Sequence, residues 1–463
     1  MLIMNSIKKN VLLRTLWAKY PRSLRPNYIY YKKFRKLIHE TEYNKIEQLR
    51  LFQFLTLKNL VNYAWHNIQG YKHLWQRYHF CPEKLKNIED INLIPFTTKE
   101  MIRNNLKKFT NTSIKRLNYI TTGGSTGIPF GFYQEYKNNY IEDSFIHDMW
   151  ARIVNNISYS TKSTVLRGTH IKGLYEYGPA NSLTLSSFDV DIDNVKEYLK
   201  LIEYYQTPII QAYPSSIYLM AKIMDSENLT LKHKFLAIIL ASEPLYDFQR
   251  ELLQKIFKTS IIHSYGATEK VVLAGNCEKD DRFHVYPQYG ITEIINCNDS
   301  PVKEGEIGEI VGTGFWNYAT PLIRYRTKDF AELGATKCDK CNRNYQLLNR
   351  IEGRLQDYII DQEGNLVTIR GLVFRQHLDA FSNIKQMQLK QEKVGEVIVK
   401  VIPTKAFNNE DKIEIIQKMV TAINGKIHVQ VLEVDNIDRT KTGKFRFLDQ
   451  RLNLKMERNN EKK

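Results

Sequence analysis

Between Leu117 and Gly266, short runs rich in β-branched and aromatic residues alternate with amphipathic stretches, and this alternation constrains the fold more than any other feature of the 463-residue chain. The strand-like runs are LNYITT, STVLRG, PIIQAY, FLAIILAS and SIIHSYG, and helical stretches such as PSSIYLMAKIM and LYDFQRELLQKIF fall between several of them. Strands interleaved with helices build a mixed α/β body. Upstream, IEQLRLFQFLTLKNLVNYAWHNI carries apolar residues at 3–4 spacing and predicts helix within 44–76. Strand signals are denser over 283–334. After Asp357 the texture changes to short strands (YIIDQEGNLVTI, EVIVKVIP, HVQVLEV) with one helix, DKIEIIQKMVTAI. The expected organisation is a basic helical segment over 1–44, a large multi-layer domain of sheets and helices over 45–355, and a small α+β domain over 356–463.

Hydrophobic residues make up 43% and charged residues 25%, a globular balance. The net charge of +17 excludes an acidic solvating protein and leaves nucleic acid, anionic membrane and phosphorylated substrates as partner classes. No zinc-finger, RNA-recognition or helix-turn-helix signature accompanies the charge, so nucleic acid is not the expected partner. Five cysteines are too few, and too odd in number, for a disulfide framework, and fit a reducing cytoplasm. No apolar run of about 18 residues predicts a membrane span. The start, MLIMNSIKKNVLLRTLW, is interrupted by Lys8, Lys9 and Arg14 and lacks a small-residue cleavage site. From Met1 to His39 there is no acidic residue, while Ile3, Ile7, Val11, Leu12, Leu16 and Trp17 recur near helical spacing. Two readings stand: a basic helix lying peripherally on an anionic membrane surface, or one packed on the body with its basic side solvated.

Five short motifs carry chemistry. Thr121-Thr122-Gly123-Gly124-Ser125-Thr126-Gly127-Ile128-Pro129 follows a strand-like run. Its glycines permit successive N–H groups to face one way and cradle phosphate oxygens, with hydroxyls as further donors. No Gly-Lys-Ser/Thr ends it, so it is not a Walker A loop. Ser264-Tyr265-Gly266-Ala267-Thr268-Glu269 follows Ile261-Ile262, and a Thr and a Glu just past a strand suit a phosphate and Mg²⁺. Asp329, in Arg324-Tyr325-Arg326-Thr327-Lys328-Asp329, suits a ribose diol. Gly353-Arg354-Leu355-Gln356-Asp357 lies at the proposed boundary, and Arg439-Thr440-Lys441-Thr442-Gly443-Lys444-Phe445 near the C-terminus. Each alone also reads as a surface turn.

In this order and spacing the set resembles the adenylate-forming superfamily of acyl-CoA synthetases over roughly residues 45–450, and within it the phenylacetate–CoA ligase family. Phe374-Arg375-Gln376-His377, Phe381 and Gln386-Met387-Gln388 resemble its capsular-polysaccharide-biosynthesis branch. The resemblance implies a reaction in two halves. A carboxylate attacks the α-phosphate of ATP, giving an acyl-adenylate and pyrophosphate; a thiol such as CoA then displaces AMP. Transfer to a carrier protein, or to an amine or hydroxyl of an envelope sugar, is the alternative. It also implies that Thr122, Gly124, Ser125, Thr126 and Gly127 lie over the phosphates, that Ala241, Ser242, Glu243 and Pro244 flank adenine, and that Tyr265 and Gly266 lie near the base. Thr268 would touch the α-phosphate, Glu269 would hold Mg²⁺, and Asp329 with Arg354 would bind the ribose. Lys444 matches the lysine that bridges the attacking carboxylate and the α-phosphate, a task suited to a compact charge on a long stem; Lys441 lacks the preceding glycine. The small domain would be a mobile lid turning about Gln356 or Asp357. Arg439 stands where proline is common and is assigned no function.

Cys338-Asp339-Lys340-Cys341 has zinc-knuckle spacing but needs two more ligands. Cys277 and His284 complete a set similar to the one in the branch, so a structural Zn²⁺ that braces the nucleotide region is expected; four unliganded side chains are the alternative. Cys81 and Cys297 have no partner in this pattern. The acyl pocket is expected between Arg167 and Ser242, including His170 and Tyr213-Pro214-Ser215, and takes a small carboxylic acid. Dimers are frequent in the resembled family, so a homodimer is one expected state. A non-catalytic scaffold that binds nucleic acid or membrane is the remaining alternative; intact Glu269, Asp329, Arg354 and Lys444 argue against it.

Overall fold

The computed structural model describes residues 24–25, 27–122, 130–155, 157, 161–168, 171, 173–178, 182–354, 358–373, 379–439 and 445–452. The chain forms two compact units, each assembled from two stretches. One joins the chain up to Thr161 with Ile262–Ile351, the other Lys162–Ile261 with the chain from Glu352 onward.

In the first unit, the apolar spacing after Lys45 produces the helix Ile46–Asn67, which buries Leu49, Leu57, Leu60, Val61 and Ala64. Ile68 leaves helical geometry (φ −123°, ψ 99°), so the predicted run breaks into two helices, the second being Gln69–Arg77. Gly70 sits just past the break, where a Cβ would lie 2.8 Å from the Phe109 ring. The helix Tyr28–Thr41 buries Tyr31, Phe34 and Ile38. It packs on the helix Lys137–Ile153 through Phe34 against Phe145 and an Arg35–Asp148 ion pair at 2.5 Å. On this helix Lys32, Lys33 and Lys36 are exposed; residues 1–23, which carry the apolar spacing from Ile3 to Trp17, lie outside the described ones.

The sheet of this unit runs, in spatial order, Gly290–Ile295, Ile307–Gly314, Tyr325–Leu333, Leu347–Arg354, Phe283–Val285, Leu273–Gly275 and Ser260–Gly266. Antiparallel pairing places Gly312 opposite Tyr325 and His284 opposite Gly275. A separate hairpin, Leu117–Thr121 with Gly131–Glu135, has Thr121 opposite Gly131.

In the second unit the strands run Ala237–Ala241, Ile209–Ala212, Ser163–Leu166, Ser182–Leu185 and Tyr175–Gly178, the first four parallel and the last an antiparallel edge. Their near-continuous apolar runs suit strands covered on both faces. The helices Ile192–Tyr205, Pro214–Ser226 and Asp247–Phe257 connect or follow them. Asp191 caps the first, accepting from Asn194 N–H at 2.8 Å, and Pro214 opens the second, where its missing N–H costs nothing.

The C-terminal stretch adds a hairpin, Tyr358–Ile360 with Leu366–Thr368, and a four-stranded sheet in the order His428–Glu433, Glu396–Pro403, Ile384–Lys393, Leu448–Gln450. The helix Asn409–Ala422 contributes Ile415 and Met419 to a core with Leu389, Val399, Val401 and Leu448. The architecture is the mixed α/β one expected from the sequence.

Candidate functional site

Within the first unit, three sequence-distant motifs meet. The Tyr265 hydroxyl donates to Asp329 Oδ2 at 2.8 Å, and the Tyr325 hydroxyl donates to Glu269 Oε1 at 3.3 Å. Burial, and then the neighbouring carboxylates, push both phenols above their ordinary range, so both remain donors. Asp329 is buried, Glu269 half-buried, and Gly266 and Thr268 exposed. Lys328 adopts a left-handed conformation (φ 63°) just before Asp329, whose N–H donates to Thr327 Oγ1 at 3.1 Å. A non-glycine residue in that region is strained and persists only where its surroundings hold it.

Phe130 connects the glycine-rich segment to this cluster. Its ring stacks on Tyr325 at 6.1 Å, and its backbone pairs with Thr122: Thr122 N–H donates to Phe130 O at 2.8 Å, and Phe130 N–H to Thr122 Oγ1 at 3.3 Å. The hairpin therefore closes on the pair Thr122 and Phe130; Gly124, Ser125, Thr126 and Gly127, between them in sequence, lie outside the described residues. The two arginines of the Asp329 motif are structural. Arg324 is buried, pairs with Glu293 at 2.7 Å, donates to Asn92 O and Ile94 O, and stacks on Phe96. Arg326 pairs with Glu309 at 2.6 Å and Asp299 at 2.8 Å.

Within the second unit, Ser242 is left-handed (φ 73°) at the end of the strand Ala237–Ala241. The following Glu243 accepts from Ser215 N–H at 3.0 Å through Oε2 and from Phe445 N–H at 3.1 Å through Oε1. Ser242 is exposed, and Glu243 and Pro244 are half-buried. Arg439, which the sequence reading left without a function, donates to Ser216 Oγ at 3.3 Å, and burial, opposed by Glu243, lowers its pKa. Arg354 ends its strand exposed. Lys444, Lys441, Gln356, Asp357, His170 and Phe374–His377 lie outside the described residues. Lys222, on the helix Pro214–Ser226, was not singled out by the sequence, yet it donates to Phe381 O at 3.0 Å and to Ile384 O. An apparently routine helical lysine gives no sequence signal of such burial.

Cys277, His284, Cys338 and Cys341 meet in the first unit, all buried, with ligand atoms within 4.8 Å of one another. The pairing of His284 with Gly275 brings Cys277 to the histidine. Cys341 N–H donates to Cys338 Sγ and Lys279 N–H to Cys277 Sγ, both at 3.4 Å. His284 Nδ1 lies 3.1 Å from Arg282 O, and Nε2 lies 3.4 Å from Cys341 Sγ. An Nδ1–H bonded to a carbonyl leaves Nε2 as the ligand atom. Three sulfurs and one imidazole nitrogen match a closed tetrahedral zinc set in number and type.

Residues 359–450 match the CapK C-terminal domain family. Protein CapK of Staphylococcus aureus is 25% identical over 466 residues, spanning 96% of this chain and 95% of that one. The chain is similar to protein CapK along nearly its whole length and shares the fold of adenylate-forming ligases. A phenylacetate–coenzyme A ligase of Thermus thermophilus is 23% identical over 68% of this chain and 72% of its own. The fold is shared with 2-hydroxyisobutyryl-CoA ligase in its postadenylation state with an acyl-AMP, at a TM-score of 0.71 and 15% identity, covering 89% of this chain and 91% of that one. Among the described residues no helix is long and apolar enough to cross a membrane.

Proposed function

We propose that the chain activates a small carboxylic acid with Mg²⁺ and ATP as an acyl-adenylate and passes the acyl group to a thiol such as CoA, serving cell-envelope polysaccharide assembly. The observation that carries this is the chain of contacts from the base of the glycine-rich hairpin through Phe130 and Tyr325 to Glu269, beside the Tyr265–Asp329 bond. It brings Glu269, the proposed Mg²⁺ carboxylate, and Asp329, the proposed ribose carboxylate, into one unit with the hairpin that leads into the proposed phosphate loop.

In the first half-reaction a substrate carboxylate oxygen bonds to the α-phosphorus and pyrophosphate leaves. Thr268 and the hydroxyls of the glycine-rich segment stabilise the charge that gathers on the phosphate oxygens, and Lys444 bridges the attacking carboxylate to the α-phosphate. Glu269 would hold Mg²⁺, which would supply charge neutralisation at the phosphates, while Asp329 and Arg354 hold the ribose. Fixed donors do this at lower cost than water, because they need not reorient as charge develops. In the second half the acceptor sulfur bonds to the acyl carbon and AMP leaves.

The named relatives support the envelope assignment, since protein CapK matches along nearly the whole chain. The Cys277, His284, Cys338 and Cys341 set holds a structural Zn²⁺ that fixes two loops of the first unit. The exposed Lys32, Lys33 and Lys36 favour peripheral contact with anionic lipid through residues 1–39. A pyrophosphate-release screen over amino, aryl, fatty and sugar acids tests the reading. Acid-dependent release supports it, and absence of ATP binding with Mg²⁺ overturns it. Supplying CoA, a pantetheine carrier or a sugar amine to the accepted adenylate separates the acceptors. Sedimentation with anionic liposomes, with and without residues 1–39, tests the membrane contact, which equal pelleting would exclude.

A further inference from the structure

We propose that Lys270 is a positioning residue for the nucleotide phosphates: its ammonium group, clasped by Asn139 and Glu142, fixes the turn that presents Thr268 and Glu269, so that losing it weakens the hold on the phosphates and leaves the hold on base and ribose intact. The inference rests on the reading above, in which Thr268 and Glu269 serve the phosphate end of ATP.

Lys270 closes the turn that follows the strand Ser260–Gly266. Its N–H donates to Ala267 O at 2.9 Å, which leaves Thr268 and Glu269 as the two central residues. Lys270 itself is left-handed (φ 58°), a conformation that a side chain disfavours and that persists only where its surroundings impose it. Two features impose it. The backbone is pressed against Gly314, where a Cβ would lie 2.5 Å from Lys270 O. The side chain, 11% exposed, runs to the helix Lys137–Ile153, where Nζ lies 2.7 Å from Asn139 Oδ1 and 2.7 Å from Glu142 Oε2. Three positions apart, Asn139 and Glu142 share one face of that helix.

Both partners are themselves held. Asn139 Oδ1 also accepts from Nε2 of the fully buried Gln134 at 2.9 Å, and Glu142 Oε1 accepts from the Tyr289 hydroxyl at 3.4 Å. Gln134 lies on Gly131–Glu135, a strand of the hairpin that leads into the proposed phosphate loop. Lys270 therefore ties the Thr268–Glu269 turn to that hairpin by a route separate from Phe130 and Tyr325. The hub needs a cation: Glu142 is only 23% exposed, and an apolar side chain at position 270 would strand its charge. Charge-assisted bonds are also stronger than neutral ones, which suits a clasp that selects one turn geometry. The Tyr265–Asp329 bond is made without Lys270, so base and ribose keep their partners.

The test uses the full chain and reads binding rather than turnover. Calorimetric titration measures affinity for the non-hydrolysable analogue AMP-PNP with Mg²⁺ and, separately, for adenosine, which carries no phosphate. In Lys270→Met, AMP-PNP affinity is expected to fall about tenfold while adenosine affinity stays within about twofold of wild type. Lys270→Arg keeps the charge and is expected to lose less. Hydrogen–deuterium exchange in peptides covering 266–272 is expected to rise about tenfold in Lys270→Met, with peptides covering 283–285 and 307–314 unchanged and reporting an intact unit. Lys270→Met combined with Glu142→Gln removes the stranded charge and is expected to bind AMP-PNP no better than Lys270→Met alone. Wild-type affinity in that double variant would mean that Lys270 merely balances Glu142, and overturns the proposal. Unchanged exchange at 266–272, or equal losses for AMP-PNP and adenosine, overturns it as well. Should the wild type bind neither ligand, the adenylating reading fails, and the exchange arm still decides whether Lys270 holds the turn.

Discussion

The Tyr265 hydroxyl donates to Asp329 Oδ2 at 2.8 Å, joining two candidate nucleotide residues that lie 64 positions apart. The bond orients a carboxylate whose proposed task is to accept from a ribose diol. Tyr265→Phe removes the donor without changing the ring. The expected result is a rise of about tenfold in the KM for ATP, with little change in Tm, because the lost bond is charge-assisted but does not support the core. ATP titration of pyrophosphate release checks this, and an unchanged KM would separate Asp329 from nucleotide binding.

Arg324 belongs to the motif that contains Asp329, but its ion pair with Glu293 and its carbonyl contacts assign it to the framework. Arg324→Met leaves the half-buried Glu293 without its cation. Unfolding free energy is expected to fall by about 3–5 kcal/mol. Denaturant titration measures it; a stable variant with selectively weakened ATP binding would instead place Arg324 in the nucleotide site.

Metal analysis of the purified chain is expected to give one zinc per chain, lost in Cys341→Ser. Chelation of the wild type is expected to lower Tm by about 10 °C, since binding free energy at a closed site is also folding free energy. Wild-type protein that carries no zinc, and whose Tm ignores both chelator and added zinc, contradicts the assignment.

Burial lowers the pKa of Lys222 from 10.5 to about 8. Between those values the unfolded chain binds more protons than the folded one, so stability rises with pH across that window; below pH 8 both states are protonated and the slope vanishes. Relative to Lys222→Met, the wild type is expected to gain about 2 kcal/mol between pH 8 and 10. Paired unfolding titrations across pH measure the difference, and a flat difference refutes it.

The sequence was most legible where local chemistry sufficed. Ala237–Ala241 and Ser260–Gly266 form strands where β-branched runs stand, and Pro214–Ser226 forms a helix behind its proline. Cys338 and Cys341, paired by spacing, meet Cys277 and His284, which the family resemblance added to them. The strand Ile384–Lys393 escaped notice because its alternating Lys and Gln side chains read as a solvated loop. The partners of Glu243 were not legible either: Ser215 and Phe445 lie 28 and 202 residues away, and only tertiary packing brings them together. For the same reason, nothing local marks that Ile262–Ile351 packs with the chain's first stretch.

The central claim is that this chain makes an acyl-adenylate with a lysine supplied from its C-terminal stretch. The most direct measurement is pyrophosphate release from Mg²⁺-ATP with an accepted carboxylic acid, comparing the wild type with Lys444→Ala. The account predicts acid-dependent release that falls by about 100-fold or more in the variant while ATP binding persists. Undiminished release from Lys444→Ala, or wild-type protein that neither binds ATP nor releases pyrophosphate with any acid, would contradict it.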